Sequence, residues 1–120
     1  MPIEPVKVAV KPIVRHVAVR TFTPPTGQVL GLIERASFET GISTTTLAKI
    51  VFCESGYNQS AVNTKNFNGS SDFGLFQINS IHLSEAERLG LDIKNSAEDN
   101  TTYAIILLKR YGTKPWVCKG

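Results

Sequence analysis

The sequence contains no apolar run long enough to cross a membrane as a helix. Its apolar stretches are short, such as residues 104–108, whereas a membrane-spanning helix needs about 20 residues. The N-terminus also lacks the unbroken apolar core of a signal peptide, because Pro2, Pro5 and Pro12 interrupt it. Two interpretations stay open: the protein is not exported, or its export signal has been removed.

Histidine and cysteine are scarce, which argues against a metal site. The two histidines, His16 and His82, are isolated, and the two cysteines, Cys53 and Cys118, form no C-x-x-C motif. We therefore expect no metal and no other cofactor. The cysteines are either two free thiols or one disulfide. We favour the disulfide, which would hold the C-terminal tail beside Glu54 and indicate an oxidising compartment.

Charge is also sparse, at 19% of the 120 residues, while apolar residues make up 42%. These proportions are typical of one folded domain. The net charge is +3, and basic residues gather at both ends of the chain. Such ends suit either a solvated surface or an anionic polymer such as cell wall. Because there is no arginine-rich run with interleaved aromatic residues, we do not expect nucleic acid to be a partner.

The chain divides into an N-terminal segment, residues 1–26, and a domain, residues 27–120. The segment combines five prolines with alternating valines, a pattern that predicts a linker or an extended arm on the domain surface. The domain begins with helical periodicity at Val29, Leu30, Ile33 and Ala36 that ends at Gly41.

Three further helices are predicted, which makes the domain mainly helical. Ser43 is a candidate N-cap for the second, which ends near Gly56. A short helix over residues 84–89 has Ser84 and Glu87 at capping-box spacing. The last runs over residues 97–111, with Tyr103, Ile106, Leu107 and Tyr111 on one face. Between the second and third, residues 57–80 are rich in turn formers, and Asn68-Gly69 favours a hairpin if strands flank it.

Two carboxylic acids lie in contrasting surroundings. Glu54 follows the apolar run of residues 50–52 and lies in the last turn of its helix, facing the negative end of the helix dipole. Both features favour its protonated form. Asp72 lies in a polar, turn-rich segment, where a carboxylate stays ionised. A pair of this kind is typical of an acid working with a base or nucleophile in glycoside cleavage.

The sequence around these acids resembles the lysozyme-like superfamily, in particular the soluble-lytic type of lytic transglycosylase domain. The motifs are Glu-Ser-Gly-Tyr-Asn at residues 54–58, Ala-Val-Asn at 61–63, and Gly-Ser-Ser-Asp-Phe-Gly-Leu-Phe-Gln-Ile-Asn at 69–79. The resemblance is specific over residues 47–82, weaker as far as Trp116, and absent from residues 1–26. It implies an α+β, mainly α, lysozyme-like fold in which a small β-hairpin region forms one wall of a cleft.

The resemblance also implies roles for individual residues. Glu54 matches the catalytic glutamate, and Asp72 matches the second carboxylate of animal lysozymes. The implied substrate-binding residues are Ser55, Ser70, Ser71, Gln77 and Asn79. Tyr103 is a further candidate, because the chain ends before the tyrosine-rich segment that closes the cleft in soluble lytic transglycosylases. Cys53 is a second departure from that family.

The implied function is cleavage of peptidoglycan glycan strands at the MurNAc-β-1,4-GlcNAc bond by a monomeric, extracytoplasmic enzyme. In a lytic transglycosylase, Glu54 serves as acid and then as base, and the product is a 1,6-anhydro sugar. In a hydrolytic lysozyme, Asp72 assists and water completes the reaction. A third possibility is a lysozyme-like module that binds glycan or a partner protein without cutting it.

Overall fold

The structure is a computed structural model and describes residues 21–116 and Cys118. The described elements are four α-helices, one 3-10 turn and three short strands. In chain order they are α1 (Gly27–Thr40), α2 (Thr44–Ser55), β1 (Val62–Asn63), β2 (Asp72–Phe73), β3 (Ile78–Asn79), the 3-10 turn Ser80–His82, α3 (Leu83–Arg88) and α4 (Ala97–Tyr111). No described helix has the length and apolar character needed to span a membrane.

Helices α1, α2 and α4 contribute most of the core, and residues of the sheet region, α3 and the segment after α4 complete it. Helix α1 packs against both of the others, and its buried side chains are Leu32, Ile33 and Ala36. The first two helices end as predicted, because Gly41 and Gly56 adopt the left-handed conformation that glycine accommodates without steric cost. The Ser43 hydroxyl accepts a hydrogen bond from the Thr46 N–H, which confirms the predicted N-cap of α2.

The strands form a three-stranded antiparallel sheet in the order β1-β2-β3. A hairpin is therefore present, but β1 and β2 are joined by residues 64–71 rather than by a tight turn at Asn68-Gly69. Buried Asn100 of α4 fastens this region to the helices. Its side chain accepts from the Phe76 N–H at 2.9 Å and donates to the carbonyl oxygens of Phe73 and Ile93, each at 2.9 Å.

Two details of the helix predictions are wrong. The short helix begins at Leu83, because the 3-10 turn leads directly into it, and no side chain caps its N-terminus. The predicted capping box of Ser84 and Glu87 therefore does not form. Helix α4 has the predicted bounds, but Tyr111 is exposed, whereas Ala104, Ile105 and Leu108 are buried. Helix α4 lies in the middle of the core, so its buried surface is wider than one stripe.

The N-terminal segment is described only from residue 21 onwards, and the predicted role of residues 1–20 lies outside the described residues. Residues 21–26 lie against the end of α2. The Phe22 ring contacts the Phe52 ring edge-on at a centroid distance of 5.4 Å. The Tyr57 hydroxyl donates to the carbonyl oxygen of Thr23 at 2.5 Å.

Candidate active site

A cleft of about 640 Å³ runs between the sheet and the C-terminal part of the domain. Its lining joins residues from α2, the sheet and the loop between β1 and β2 to the segment after α4. The lining residues are Glu54, Asn63, Asn66, Phe67, Asn68, Ser70, Asp72, Gln77, Ile78, Asn79, His82, Leu107, Pro115 and Trp116. Both predicted carboxylic acids thus lie in the same cleft.

Glu54 is partly buried in the last turn of α2. Burial raises the pKa of its carboxyl from 4.5 to about 7, and the nearby negative charge of Asp72 adds to the increase. The Cys118 N–H donates to Glu54 Oε2 at 3.3 Å and opposes the shift, because it stabilises the charged form. The site therefore holds a carboxylic acid that exchanges its proton near neutral pH.

Asp72 is held by three side-chain amides. Its Oδ2 accepts from Asn63 at 3.1 Å and from Asn66 at 2.9 Å, and its Oδ1 accepts from Asn79 at 2.9 Å. A carboxylate offers about four acceptor positions, so three of them are already used within the protein. This arrangement fixes the orientation of Asp72 and places its charge in the wall of the cleft.

Ser70 and Asn79 belong to the same network. The Ser70 hydroxyl donates to Asn68 Oδ1 at 2.6 Å and accepts from Asn79 Nδ2 at 2.9 Å. The Asn79 Oδ1 accepts from the Ile81 N–H at 3.0 Å and so caps the 3-10 turn. Both residues line the cleft, but their polar groups are largely occupied by contacts that keep the wall rigid.

Gln77 offers a free acceptor instead. Its backbone has a positive φ of 51°. Its side-chain nitrogen donates to the carbonyl oxygens of Ala61 at 3.1 Å and Gly74 at 2.9 Å, so both amide protons are used. Among residues 21–116 and 118, no group donates to the side-chain carbonyl of Gln77, so this oxygen is left to accept a hydrogen bond. Gly74, which precedes this turn at a φ of 80°, leaves room for the Asn100 side chain, because a Cβ on Gly74 would clash with Asn100 Nδ2.

Three predicted substrate-binding residues lie outside the lining. The Ser55 hydroxyl donates to the Val51 carbonyl within α2, at 3.1 Å. Ser71 contacts Ser80 through its backbone, which donates to the Ser80 hydroxyl at 3.0 Å. Tyr103 is fully buried, and its hydroxyl bonds to Glu85 and His82. Their assignment to substrate stays a prediction that the geometry of the cleft does not support.

The structure joins Cys53 and Cys118 in a disulfide, with Cα atoms 5.8 Å apart. The bridge and the buried Trp116 bring the C-terminal segment to the cleft. The Trp116 indole N–H donates to the Phe76 carbonyl at 2.7 Å, and the two rings meet edge-on. Among the described residues, no group of three or more His, Cys, Asp or Glu side chains gathers to hold a metal ion.

Several residues of the site are not predicted by the sequence. Asn63, Asn66 and Asn68 look like ordinary turn formers, and nothing in their order reveals that two of them converge on Asp72. Phe67 is fully exposed at the loop before β2 and lines the cleft. His82 also lines it, although in the sequence it is merely an isolated histidine. The motifs quoted from the sequence predicted none of these contacts.

A helical domain with a three-stranded sheet and an acid at the end of a core helix defines a lysozyme-like fold. Solved structures of lysozymes have a similar fold. A calcium-binding lysozyme from equine milk superposes with a TM-score of 0.53 at 22% identity, over 76% of this chain and 83% of that one. Lysozyme from Equus asinus gives 0.55 at 22% identity, over 77% and 84%. At this identity the similarity establishes the fold, and it confirms the predicted fold class.

The chain belongs to the transglycosylase SLT domain family, whose model matches residues 31–115. This match confirms the resemblance found in the sequence. A curated relative, Protein IpgF from Shigella flexneri, is 40% identical over 57 residues. The aligned region is 48% of this chain and 37% of that protein, so the chain spans little more than a third of the length of that relative.

Removing the charge of Asp72 should lower the pKa of Glu54. In Asp72→Asn, the pKa should move from about 7 toward 4.5 without reaching it, because burial, the larger cause, remains. Carbon-13 NMR titration of the Glu54 carboxyl measures the shift. Asp92→Asn is the matched control, since Asp92 is an exposed aspartate outside the cleft. An unchanged Glu54 pKa in Asp72→Asn would contradict the electrostatic coupling.

Proposed function

We propose that the protein cleaves peptidoglycan glycan strands at the MurNAc-β-1,4-GlcNAc bond, as a lytic transglycosylase. The observation that carries the proposal is the state of Glu54, a partly buried cleft carboxyl whose pKa is raised to about 7 by burial. A general acid works best when its pKa lies near the working pH, because it then holds a proton and still releases it readily. Membership of the transglycosylase SLT family supports the choice of substrate.

In the proposed reaction, the Glu54 proton passes to the glycosidic oxygen as the bond between that oxygen and the muramic C1 breaks. The GlcNAc end leaves as an alcohol, and Glu54 becomes a carboxylate. This carboxylate then accepts the proton of the muramic C6 hydroxyl while the C6 oxygen attacks C1. The product is a 1,6-anhydro sugar, Glu54 regains its proton, and no water is consumed.

The hydrogen bonds of Asp72 support a mechanism with one catalytic carboxyl. A carboxylate nucleophile needs an unoccupied oxygen lone pair directed at C1. Amide donors occupy three of the four acceptor positions of Asp72, two on Oδ2 and one on Oδ1, so attack at C1 would have to use the one position left on Oδ1, in an orientation that the three amides already fix. In this proposal Asp72 acts through its charge, which helps to keep Glu54 protonated and offsets positive charge that develops at C1.

Hydrolysis is the second candidate, and one observation favours it. Asp72 lines the same cleft as Glu54, so both carboxyls face any glycan bound there, as a lysozyme mechanism requires. In that mechanism, water supplies the final nucleophile and the product has a reducing end. A module that binds glycan without cutting it would need neither the raised pKa of Glu54 nor a second carboxyl in the same cleft.

Digestion of purified peptidoglycan in water enriched in oxygen-18 distinguishes the candidates. We expect muropeptides lighter by one water than the reducing products, with no oxygen-18 incorporated, as mass spectrometry would show. Reducing ends that carry oxygen-18 would establish the hydrolase and refute the transglycosylase. Intact glycan strands, together with measurable binding to them, would establish the non-catalytic module.

The disulfide and the substrate together support an extracytoplasmic location. Structural disulfides persist in oxidising compartments, and the Cys53–Cys118 bridge lies beside the cleft. Peptidoglycan is also found outside the cytoplasmic membrane. We propose that the enzyme works there as a monomer.

A further inference from the structure

His82 lines the cleft and is part of a polar chain that runs back into the domain. It lies at the end of the 3-10 turn after β3. Its ring contacts the ring of buried Tyr103 at a centroid distance of 5.3 Å, and His82 Nδ1 is 3.2 Å from the Tyr103 hydroxyl oxygen. The chain continues from Tyr103 to Glu85 and then to Arg110.

The donor and the acceptor of each hydrogen bond in this series of side chains can be assigned. Arg110 donates to both oxygens of Glu85, at 3.1 and 3.0 Å. Hydrogen bonds from Arg110 and then from Tyr103 lower the pKa of Glu85 to about 2, so Glu85 is an ionised acceptor. The single hydroxyl proton of Tyr103 is therefore donated to Glu85, and the Tyr103 oxygen is left to accept from His82.

This direction determines which nitrogen of His82 carries the proton. Because the Tyr103 oxygen accepts, His82 Nδ1 must be protonated. Burial lowers the pKa of His82 below 6.5, while Glu85 acts to raise it and Arg110 to lower it, and the neutral imidazole is favoured. Neutral imidazole carries one proton, so Nε2 has a free lone pair. Nε2 has no hydrogen-bond partner among residues 21–116 and 118.

We propose that His82 binds the substrate through Nε2 as a hydrogen-bond acceptor, and that Tyr103 is the positioning residue that fixes this tautomer. The proposal rests on the proposed function, because it assigns the ligand to the glycan strand. Sugar hydroxyls and acetamido N–H groups are donors of the required kind. Gln77 offers an acceptor to the same cleft, so the two residues would together recognise donor groups along the strand.

Nitrogen-15 NMR of the histidine side chains tests the tautomer without reference to activity. The chain has two histidines, and the His82→Gln variant assigns the His82 signals. We expect Nδ1 in the protonated range and Nε2 in the unprotonated range in the wild type, and a mixture of tautomers in Tyr103→Phe. A wild-type His82 protonated at Nε2 would overturn the proposal.

Kinetics on peptidoglycan test the binding role. Tyr103→Phe and His82→Ala should each raise KM by about 2–12-fold, the effect of losing one ordinary hydrogen bond, with kcat nearly unchanged. Tyr111→Phe is the matched control, because Tyr111 is exposed on the same helix, and its KM should not change. An unchanged KM in both the Tyr103 and the His82 variant would refute the role, even if the enzyme is active.

Titration of wild-type protein with a tetramer of N-acetylglucosamine identifies the donor. A shift of the His82 Nε2 signal with this peptide-free sugar supports glycan binding, and it would do so even if no cleavage occurred. A response only to fragments that bear peptide stems would overturn the assignment to the glycan. This titration therefore distinguishes a failure of the proposed cleavage from a failure of the proposed glycan binding by His82.

Discussion

Glu54→Gln should reduce cleavage of peptidoglycan by at least about 10²–10⁴-fold, because the amide has no acidic proton for the leaving oxygen. The shape of the side chain is kept, and the Cys118 N–H can still donate to its oxygen. Binding of glycan strands should therefore survive. Release of soluble muropeptides measures the loss, and Glu34→Gln, which alters an exposed glutamate on α1, is the matched control. Undiminished cleavage in Glu54→Gln would exclude Glu54 as the acid.

The pH dependence of wild-type activity should show the titration of Glu54. In the proposed reaction the protonated form of Glu54 acts first, so activity should fall as the pH rises through about 7. In Asp72→Asn this alkaline limb should move to lower pH, because the negative charge of Asp72 helps to keep Glu54 protonated. A wild-type limb near 4.5 would mean that the cleft does not retain the proton.

Glu54→Gln should also stabilise the fold at alkaline pH. The folded-state pKa of Glu54 lies above its ordinary value of 4.5, so folding favours the protonated acid. Its contribution is fully present below pH 4.5 and is lost as the pH rises to about 7. The shift corresponds to at most about 3 kcal/mol, and solvent screening of a partly exposed group reduces this to about 1–2 kcal/mol. Urea unfolding should therefore find Glu54→Gln more stable than the wild type at pH 8, with little difference at pH 4.

The sequence was sufficient to predict the helices and Glu54 because these features depend on local patterns. Apolar spacing, a serine N-cap and a terminal glycine fix α2, and the apolar run before Glu54 explains its burial. The face of α4 was harder to predict. A helix in the middle of the core is buried on more than one side, and periodicity alone does not report how many neighbours cover it.

The side chains that bond to Asp72 could not be predicted, because only the folded chain brings them together. Asn63 and Asn79 lie far apart in the chain, and only the register of the sheet brings both to Asp72. The same holds for Tyr103. Its helical position suggested either core packing or a cleft residue, whereas the structure buries the ring and directs its hydroxyl to His82. A tyrosine behind the cleft can influence binding without touching the substrate.

Of the substitutions considered, those that remove the disulfide should lower the free energy of unfolding most. Cys53 and Cys118 are 65 residues apart, and closing a loop of that length in the unfolded chain is worth about 4 kcal/mol in the chain-entropy estimate. A variant with both Cys53→Ser and Cys118→Ser should therefore unfold at a Tm lower by about 15 °C or more. Thermal unfolding followed by circular dichroism measures the difference. Reductant is the control, because it should lower the wild-type Tm to that of the variant and leave the variant unchanged.

Cleavage at temperatures well below the Tm should be less affected than stability. Trp116 lines the cleft through its own hydrogen bond to Phe76 and its buried ring, and neither of these contacts involves the cysteines. The bridge holds Cys118, whose N–H bonds to Glu54 Oε2. Loss of the bridge has two opposing effects on the charged form of Glu54. The carboxylate loses the Cys118 N–H, which stabilises the charge, and the tail buries the carboxylate less, which reduces the cost of the charge. Two free thiols in the folded wild type, or equal Tm values for the variant and the oxidised wild type, would contradict the stabilising role of a bridge that joins the helix of Glu54 to the tail beside it.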